Sequence, residues 1–312
     1  MKGTAKTLLI LAFGIMLIPC LVFFKDKLQT NSVTLSDEVK ILCEETGEIT
    51  TLSRRDYLLY STLSAISTDV SDETLKAQIV LQNTYLSHEQ SFSNNNLNGA
   101  DLSDDETVYQ KILTEDEARE LIDSYDDEKE RILSLIDEVS DEILTYKSSP
   151  IAVAYFESSF GQTESAKDIW DEDISYLQSV KCVTDEDIEA QTTTLSADEV
   201  KEALESAFNI TLSEDYSSWL EITSTSKGGT PLKVKIGGEI EALASELSSL
   251  LSLPSQHFEL TIEEDEFTFI TKGVGHLVGM SQAYAETLAL EGKSYEEILL
   301  YFFDGCKLQT VK

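Results

Sequence analysis

The run Gly273-Val274-Gly275-His276-Leu277-Val278-Gly279-Met280-Ser281-Gln282 is where residue types and spacing first suggest chemistry in this chain. His276, one of three histidines in 312 residues, carries a ring that can give or take a proton near neutral pH. Ser281 and Gln282 add a hydroxyl and a carboxamide, groups that hydrogen-bond polar ligands. The three glycines let backbone approach backbone, or a ligand, where a Cβ would clash. Taken alone, the run reads first as a strand ending in a turn before a helix over 283–291. A role in a site depends on what the rest of the chain brings to it.

The elements that could position these groups begin after a segment of a different kind. Residues 7–24 form an uncharged apolar run, with Lys2 and Lys6 before it and Lys25 and Lys27 after it. At about 1.5 Å per residue the run covers roughly 27 Å, close to the hydrocarbon thickness of a bilayer. It ends Val22-Phe23-Phe24-Lys25-Asp26, without the small-x-small pattern of a signal cleavage site. Pro19 precedes Cys20 where a lipoprotein would carry a small residue. An uncleaved anchor is therefore expected, with residues 1–6 as a cytoplasmic tip. The protein is then single-pass in the cell membrane, its folded part extracytoplasmic.

About 280 residues remain, and a hydrophobic content of 41% supports a packed core. A net charge of −35, from 58 acidic and 23 basic residues, argues against nucleic acid as a partner and is read as a solvated acidic surface. Cys43, Cys182 and Cys306 lie outside the anchor, so at most one bridge can form among them. No CxxC or Cys/His cluster occurs, so no metal site and no cofactor is expected.

Local patterns predict short strands over 35–51 around Gly47 and helices over 56–66 and 72–90, the second opening at Ser71. A polar surface loop follows at 91–105, then a densely acidic helical stretch over 106–143. Strands are expected over 142–157, and Ser196-x-x-Glu199 is a capping box for a helix reaching Phe208. Gly237-Gly238 precedes an expected helix over 239–251, and 257–271 alternates as a strand pair should. Helices and strands mix without βαβ regularity, so the fold class is α+β.

These segments together resemble the SpoIID/LytB family. The Gly273–Gln282 run, followed by Ala283-Tyr284-Ala285, Ala289, Gly292 and Tyr295, is similar to its C-terminal G-x-G-H-G-V-G-M-S-Q signature, helix and Gly-x-x-Tyr turn. Arg55-Asp56-Tyr57, Leu75-Lys76-Ala77-Gln78 and Thr84-Tyr85 resemble the family's L-E-E-Y…A-L-K-A-Q-A…R-T-Y block. Ala154-Tyr155-Phe156, Gly161-Gln162-Thr163-Glu164, Trp170 and Tyr176-Leu177 resemble its Y-F-H-S…G-x-T-E…W…P-Y-L segment. The resemblance implies one mixed helix/strand domain over 33–312 behind the anchor. It implies a protein of sporulation and engulfment that acts on peptidoglycan glycan strands alongside an amidase/endopeptidase. Family members are lytic transglycosylases, in which one carboxylic acid protonates the glycosidic oxygen and then deprotonates the muramoyl 6-hydroxyl.

Departures from the family pattern fall on polar positions. The family's catalytic Glu, in an A-E-M tripeptide, aligns with Ala65 in Ser64-Ala65-Ile66. The Cys/His zinc-type cluster that some family members carry has no counterpart across Leu102–Gln110. The family Arg before Thr-Tyr is Asn83, the His after Tyr-Phe is Glu157, and the second glycine of G-H-G-V-G is Leu277. The resemblance thus leaves activity open. His276, Ser281, Gln282, Gln78 and Tyr57 are candidates to line a glycan-binding cleft lacking its acid. Asp69, one helical turn after Ala65 if that helix continues, and Glu157 are alternative acids for an active enzyme.

Overall fold

The computed structural model describes residues 35–92, 97–122, 125–183 and 189–311. The run 7–24 lies outside these residues, and among the described residues no helix is long and apolar enough to cross a membrane.

The chain opens with the hairpin β1 (Glu38–Leu42) and β2 (Ile49–Ser53), turning at Gly47 with φ +72°. Ser53 caps α1 (Arg54–Ala65), its hydroxyl accepting from Asp56 N at 3.0 Å. The helix stops where Ile66 becomes extended, at φ −146° and ψ 148°. The next helix, α2 (Asp72–Phe92), is buried on nearly every side, and most of it lies inside the larger of two hydrophobic cores. Two of its buried polar side chains are held by partners: Asn83 Nδ2 donates to Ser140 O and Glu142 O at 2.9 and 2.8 Å, and Thr84 Oγ1 accepts from Leu144 N at 2.8 Å.

β3 (Leu102–Ser103), α3 (Glu115–Leu121), α4 (Tyr125–Val139), β4 (Glu142–Tyr146), β5 (Ser149–Pro150), β6 (Tyr155–Phe156) and α5 (Ala166–Trp170) follow. Leu102 and Ser103, inside the stretch read as a polar loop, are buried and pair in parallel with β1. The acidic stretch 106–143 is not one helix, because Thr114 and Glu117 form a capping box that starts α3.

A second core is built from β7 (Gln191–Ser196), α6 (Ala197–Phe208), β8 (Leu220–Thr225), β9 (Pro231–Ile236), β10 (Ile240–Leu243), α7 (Ala244–Leu250), β11 (Phe258–Glu263) and β12 (Glu266–Thr271). Trp219 anchors it, stacked on Phe267 at 5.7 Å and donating from Nε1 to Ser213 O at 2.8 Å. The expected helix over 239–251 starts late. Gly237 and Gly238, at φ +59° and +73°, turn the chain back, so Ile240–Leu243 pairs with β9 before α7 begins. The capping box at Ser196 and Glu199 starts α6 as expected.

β13 (Met280–Ser281), α8 (Gln282–Leu290), α9 (Tyr295–Phe302) and β14 (Lys307–Thr310) close the chain against the first core. The result is a mixed α+β arrangement with several small sheets.

Candidate functional site at the end of α1

The glycine run is threaded against the segment around β6. β13 pairs in parallel with β6, and Ser158 and Val274 form an antiparallel bridge. A Cβ on Gly273 would stand 2.6 Å from Ser158 O, on Gly275 2.8 Å from Phe156 Cβ, and on Gly279 2.1 Å from Ala154 O. The glycines therefore serve backbone approach to backbone, one of the two roles open to them in the sequence. Leu277, a bulky residue where the family pattern has glycine, sits at φ +65° with its side chain fully buried.

His276 lies inside this packing, 4% exposed, its ring 5.2 Å from that of Trp170 and 5.8 Å from that of Phe156. Its Nδ1 accepts from Val278 N at 3.1 Å, so the neutral ring carries its proton on Nε2. Burial pushes its pKa down to about 4, against the backbone of Tyr155, which favours the charged form. The ring is neutral at physiological pH. Ser281, also buried, caps α8 by accepting from Tyr284 N at 3.3 Å.

Three sequence candidates meet where α1 ends. Gln282, the first residue of α8, donates from Nε2 to Ala65 O at 2.7 Å and to Gln78 Oε1 at 3.1 Å. Ala65 O can only accept, so both Gln282 protons are committed, and the Gln78 carboxamide is fixed with its oxygen toward Gln282. Gln78 is fully buried, and its Nε2 has no acceptor. An unpaired buried donor costs about 1–3 kcal/mol. Ala65, partly exposed beside this pair, offers a methyl group and no proton. Tyr57, two turns earlier on α1, is fully buried, and burial holds its phenol well above the usual range.

The two alternative acids are placed differently. α1 ends at Ala65, so Asp69 is not carried round one helical turn but lies exposed on the loop beyond. Glu157 follows β6 directly, and its carbonyl accepts from Ala283 N at 2.9 Å, in the first turn of α8. Ala283 neighbours Gln282, so the backbones of Glu157 and Ala65 are tied to adjacent residues of one helix. The residue is exposed, yet desolvation by the surrounding protein raises its carboxyl above the ordinary carboxylate range.

Other polar groups were not singled out from the sequence. Glu164 is 1% exposed; its Oε1 accepts from Thr230 Oγ1 at 2.6 Å and Ser226 Oγ at 2.8 Å, and burial raises its carboxyl. Thr230 Oγ1 also lies 3.1 Å from His257 Nδ1, and His257 stacks on Phe160 at 3.7 Å with its pKa pushed down to about 4 by burial. This chain ties the β8–β9 turn of the second core to the first. Arg54 reaches Asn83 Oδ1, so a guanidinium stands beside a position where the family pattern carries its own. Glu164 closes the Gly161-Gln162-Thr163-Glu164 motif; nothing local in the sequence pairs Arg54 with Asn83. Among the described residues no group of three or more His, Cys, Asp or Glu could hold a metal ion, and no disulfide joins Cys43, Cys182 and Cys306.

The arrangement offers the carboxamide oxygen of the part-buried Gln282 and one desolvated acid, groups that can hydrogen-bond a polyhydroxylated ligand. It puts no acid at the end of α1.

Comparison with known proteins covers the same ground. Residues 43–146 match the family model described as SpoIID, stage II sporulation protein. Stage II sporulation protein D of Bacillus subtilis (strain 168) is 28% identical over 257 residues, spanning 81% of this chain and 73% of that protein. Its counterpart in Bacillus amyloliquefaciens is 28% identical over 254 residues, spanning 80% and 72%. The amidase enhancer of Bacillus subtilis (strain 168) is 25% identical over 231 residues, spanning 56% of this chain and 32% of that protein. The model's span contains α1 and α2, and with them Tyr57, Ala65, Asp69 and Gln78. Glu157, His276, Ser281 and Gln282 lie beyond it.

Proposed function

We infer from this chain's similarity to the SpoIID family that it is a cell-wall protein of sporulation that binds peptidoglycan glycan strands with its lytic chemistry impaired. The observation that carries this reading is the end of α1. A lytic transglycosylase needs one group there to protonate the glycosidic oxygen and then to take the proton of the muramoyl 6-hydroxyl, which closes on C1 in place of water. Ala65 can do neither, and loss of such a group typically costs about 10²–10⁴-fold. Beside it Gln282, part-buried and hydrogen-bonded to Gln78, holds the end of α1 in place.

The run 7–24 would tether this domain to the membrane as a single pass with the N-terminus cytoplasmic. An amidase/endopeptidase of the engulfment machinery is the partner this reading favours, in line with the similarity to an amidase enhancer. A second reading rests on Glu157: an acid with a raised pKa, tied to the first turn of α8, could act from a displaced position.

The test is digestion and retention of peptide-free glycan strands by the full-length protein in a buffer free of carboxylates. Retention without anhydromuramoyl products is expected, with products gained in Ala65→Glu. Products from the unaltered protein that vanish in Glu157→Gln would establish the second reading instead. Failure to retain the strands would refute glycan binding.

A further inference from the structure

We propose that the cavity at the start of α1, lined by Asp37, Arg54, Arg55 and Asp137, binds the zwitterionic head of an α-amino acid, its carboxylate on Arg54 and its ammonium on Asp37. The cavity measures about 220 Å³. Arg54 opens the helix that Ala65 closes, so about 16 Å of helix axis separates this cavity from the proposed glycan contact. Its four charged side chains are not evenly paired. Arg55 and Asp137 meet as a two-pronged pair, Nε on Oδ1 and Nη2 on Oδ2, both at 2.8 Å. Arg54 and Asp37 line the same cavity, yet among the described residues neither side chain makes an ion pair. One cation and one anion are thus left open to a single space.

The fold keeps these two charges apart. Arg54 Nη2 donates to Asn83 Oδ1, and Asn83 cannot turn away, because its Nδ2 is committed to Ser140 O and Glu142 O at 2.9 and 2.8 Å. The Asp37 backbone is fixed too, its carbonyl accepting from Arg54 N at 2.9 Å. Of the other guanidinium nitrogens, Nε is buried without an acceptor. Nη1 has no protein acceptor among the described residues and is not buried, so it is the nitrogen open to a ligand. Burial pulls the guanidinium down to about 10, and the fields of Asp37, Tyr57 and Asp141 offset this only in part. A carboxylate on Nη1 would complete that compensation through a charge-assisted hydrogen bond. A bare anion would meet Asp37 and Asp137 in the same cavity, on a chain of net charge −35. An ammonium on the same molecule turns Asp37 from a repulsion into a partner. The charge pattern therefore selects a zwitterion over a simple anion or a simple cation.

The test is calorimetric titration of the full-length protein at low ionic strength and about pH 7, where glycine carries both charges. Glycine, acetate and methylammonium are titrated in turn. Glycine should bind saturably, one molecule per chain, and at least about tenfold more tightly than either partial probe, each of which lacks one charge-assisted contact. Asp37→Asn, an exposed change that keeps the carbonyl accepting from Arg54 N, should bring glycine down to the level of acetate. Arg54→Gln should lose glycine binding altogether; should that variant not fold, Asp37→Asn still decides. No saturable binding of glycine, acetate bound as tightly as glycine, or an unchanged glycine affinity in Asp37→Asn overturns the proposal.

Discussion

Gly279→Ala is the sharpest test of why the glycine run exists. Gly279 sits at φ +83°, where an L side chain is strained, a penalty of about 1 kcal/mol. The added Cβ would stand 2.1 Å from Ala154 O, 2.7 Å from Ala154 C and 2.9 Å from Ala154 Cβ. Two of those atoms are backbone, so no side chain can swing away. Ala154 O also accepts from Met280 N at 3.0 Å, in the short ladder that joins β13 to β6. Relieving the clash stretches or breaks that ladder, adding about 1 kcal/mol per hydrogen bond lost and further packing strain. A total of about 3–5 kcal/mol is expected. Gly292→Ala is the matched control: its φ is +89°, and nothing lies within 4 Å of the added Cβ. It should cost only the strain, about 1 kcal/mol. Urea unfolding of both variants measures the difference. Equal costs would refute the account, because backbone approach would then contribute nothing beyond conformation.

Two further predictions rest on the same packing. At Leu277, with φ +65°, Leu277→Gly should be more stable than Leu277→Ala by about 1 kcal/mol in urea unfolding, the reverse of the usual order; an Ala variant at least as stable as Gly would show the strain to be absent. His276 and His257, both held near pKa 4 by burial, stay neutral in the folded chain while the unfolded chain takes protons below about pH 6.5. Stability is therefore full above that pH and falls as pH drops toward 4, by about 3 kcal/mol for each ring. The raised carboxyls of Glu164 and Glu157 act in the opposite sense, favouring the fold at low pH and losing that contribution as pH rises from the unfolded carboxylate pKa through their raised values. Comparing His276→Asn with the parent between pH 6.5 and 4 isolates one ring, since surface charge repulsion is common to both. An unchanged slope would rule out that share.

Much of the scaffold was legible because it is written in local pattern. The capping box at Ser196, the helices over 56–66 and 72–90 and the strand pair over 257–271 each follow from spacing within a few residues. The expected helix over 239–251 failed where a longer-range preference won. Two glycines at positive φ made a hairpin, and pairing with β9 claimed Ile240–Leu243 before helical propensity could act. The site was legible residue by residue and not as an arrangement. Gln78 and Gln282 could each be named, but their hydrogen bond spans 204 positions, and the unpaired Gln78 donor exists only once that bond forms. The raised pKa of Glu157 and the clamp of Glu164 on Ser226 and Thr230 depend on the protein packed around them in the fold, which no local signal in the sequence encodes.

The Gly273–Gln282 run and Ala65 therefore inform different links of the chain from sequence to function. At 273, 275 and 279 the fold itself demands glycine, because the backbone or Cβ atoms of Ala154, Phe156 and Ser158 occupy the space of a side chain. A chain with no chemistry at all would need the same glycines to seat β13 on β6. The run consequently identifies the scaffold and is silent about catalysis. Position 65 is the converse: its side chain is partly exposed at the last residue of a helix, and its carbonyl, not its methyl, makes the contact with Gln282. An acid there would disturb no bond that Ala65 makes and would bring an acceptor to the helix end where Gln78 lacks one. The Ala65 methyl also packs at the edge of the larger core, so position 65 bears on both packing and proton transfer, unlike the glycines, which bear on packing alone.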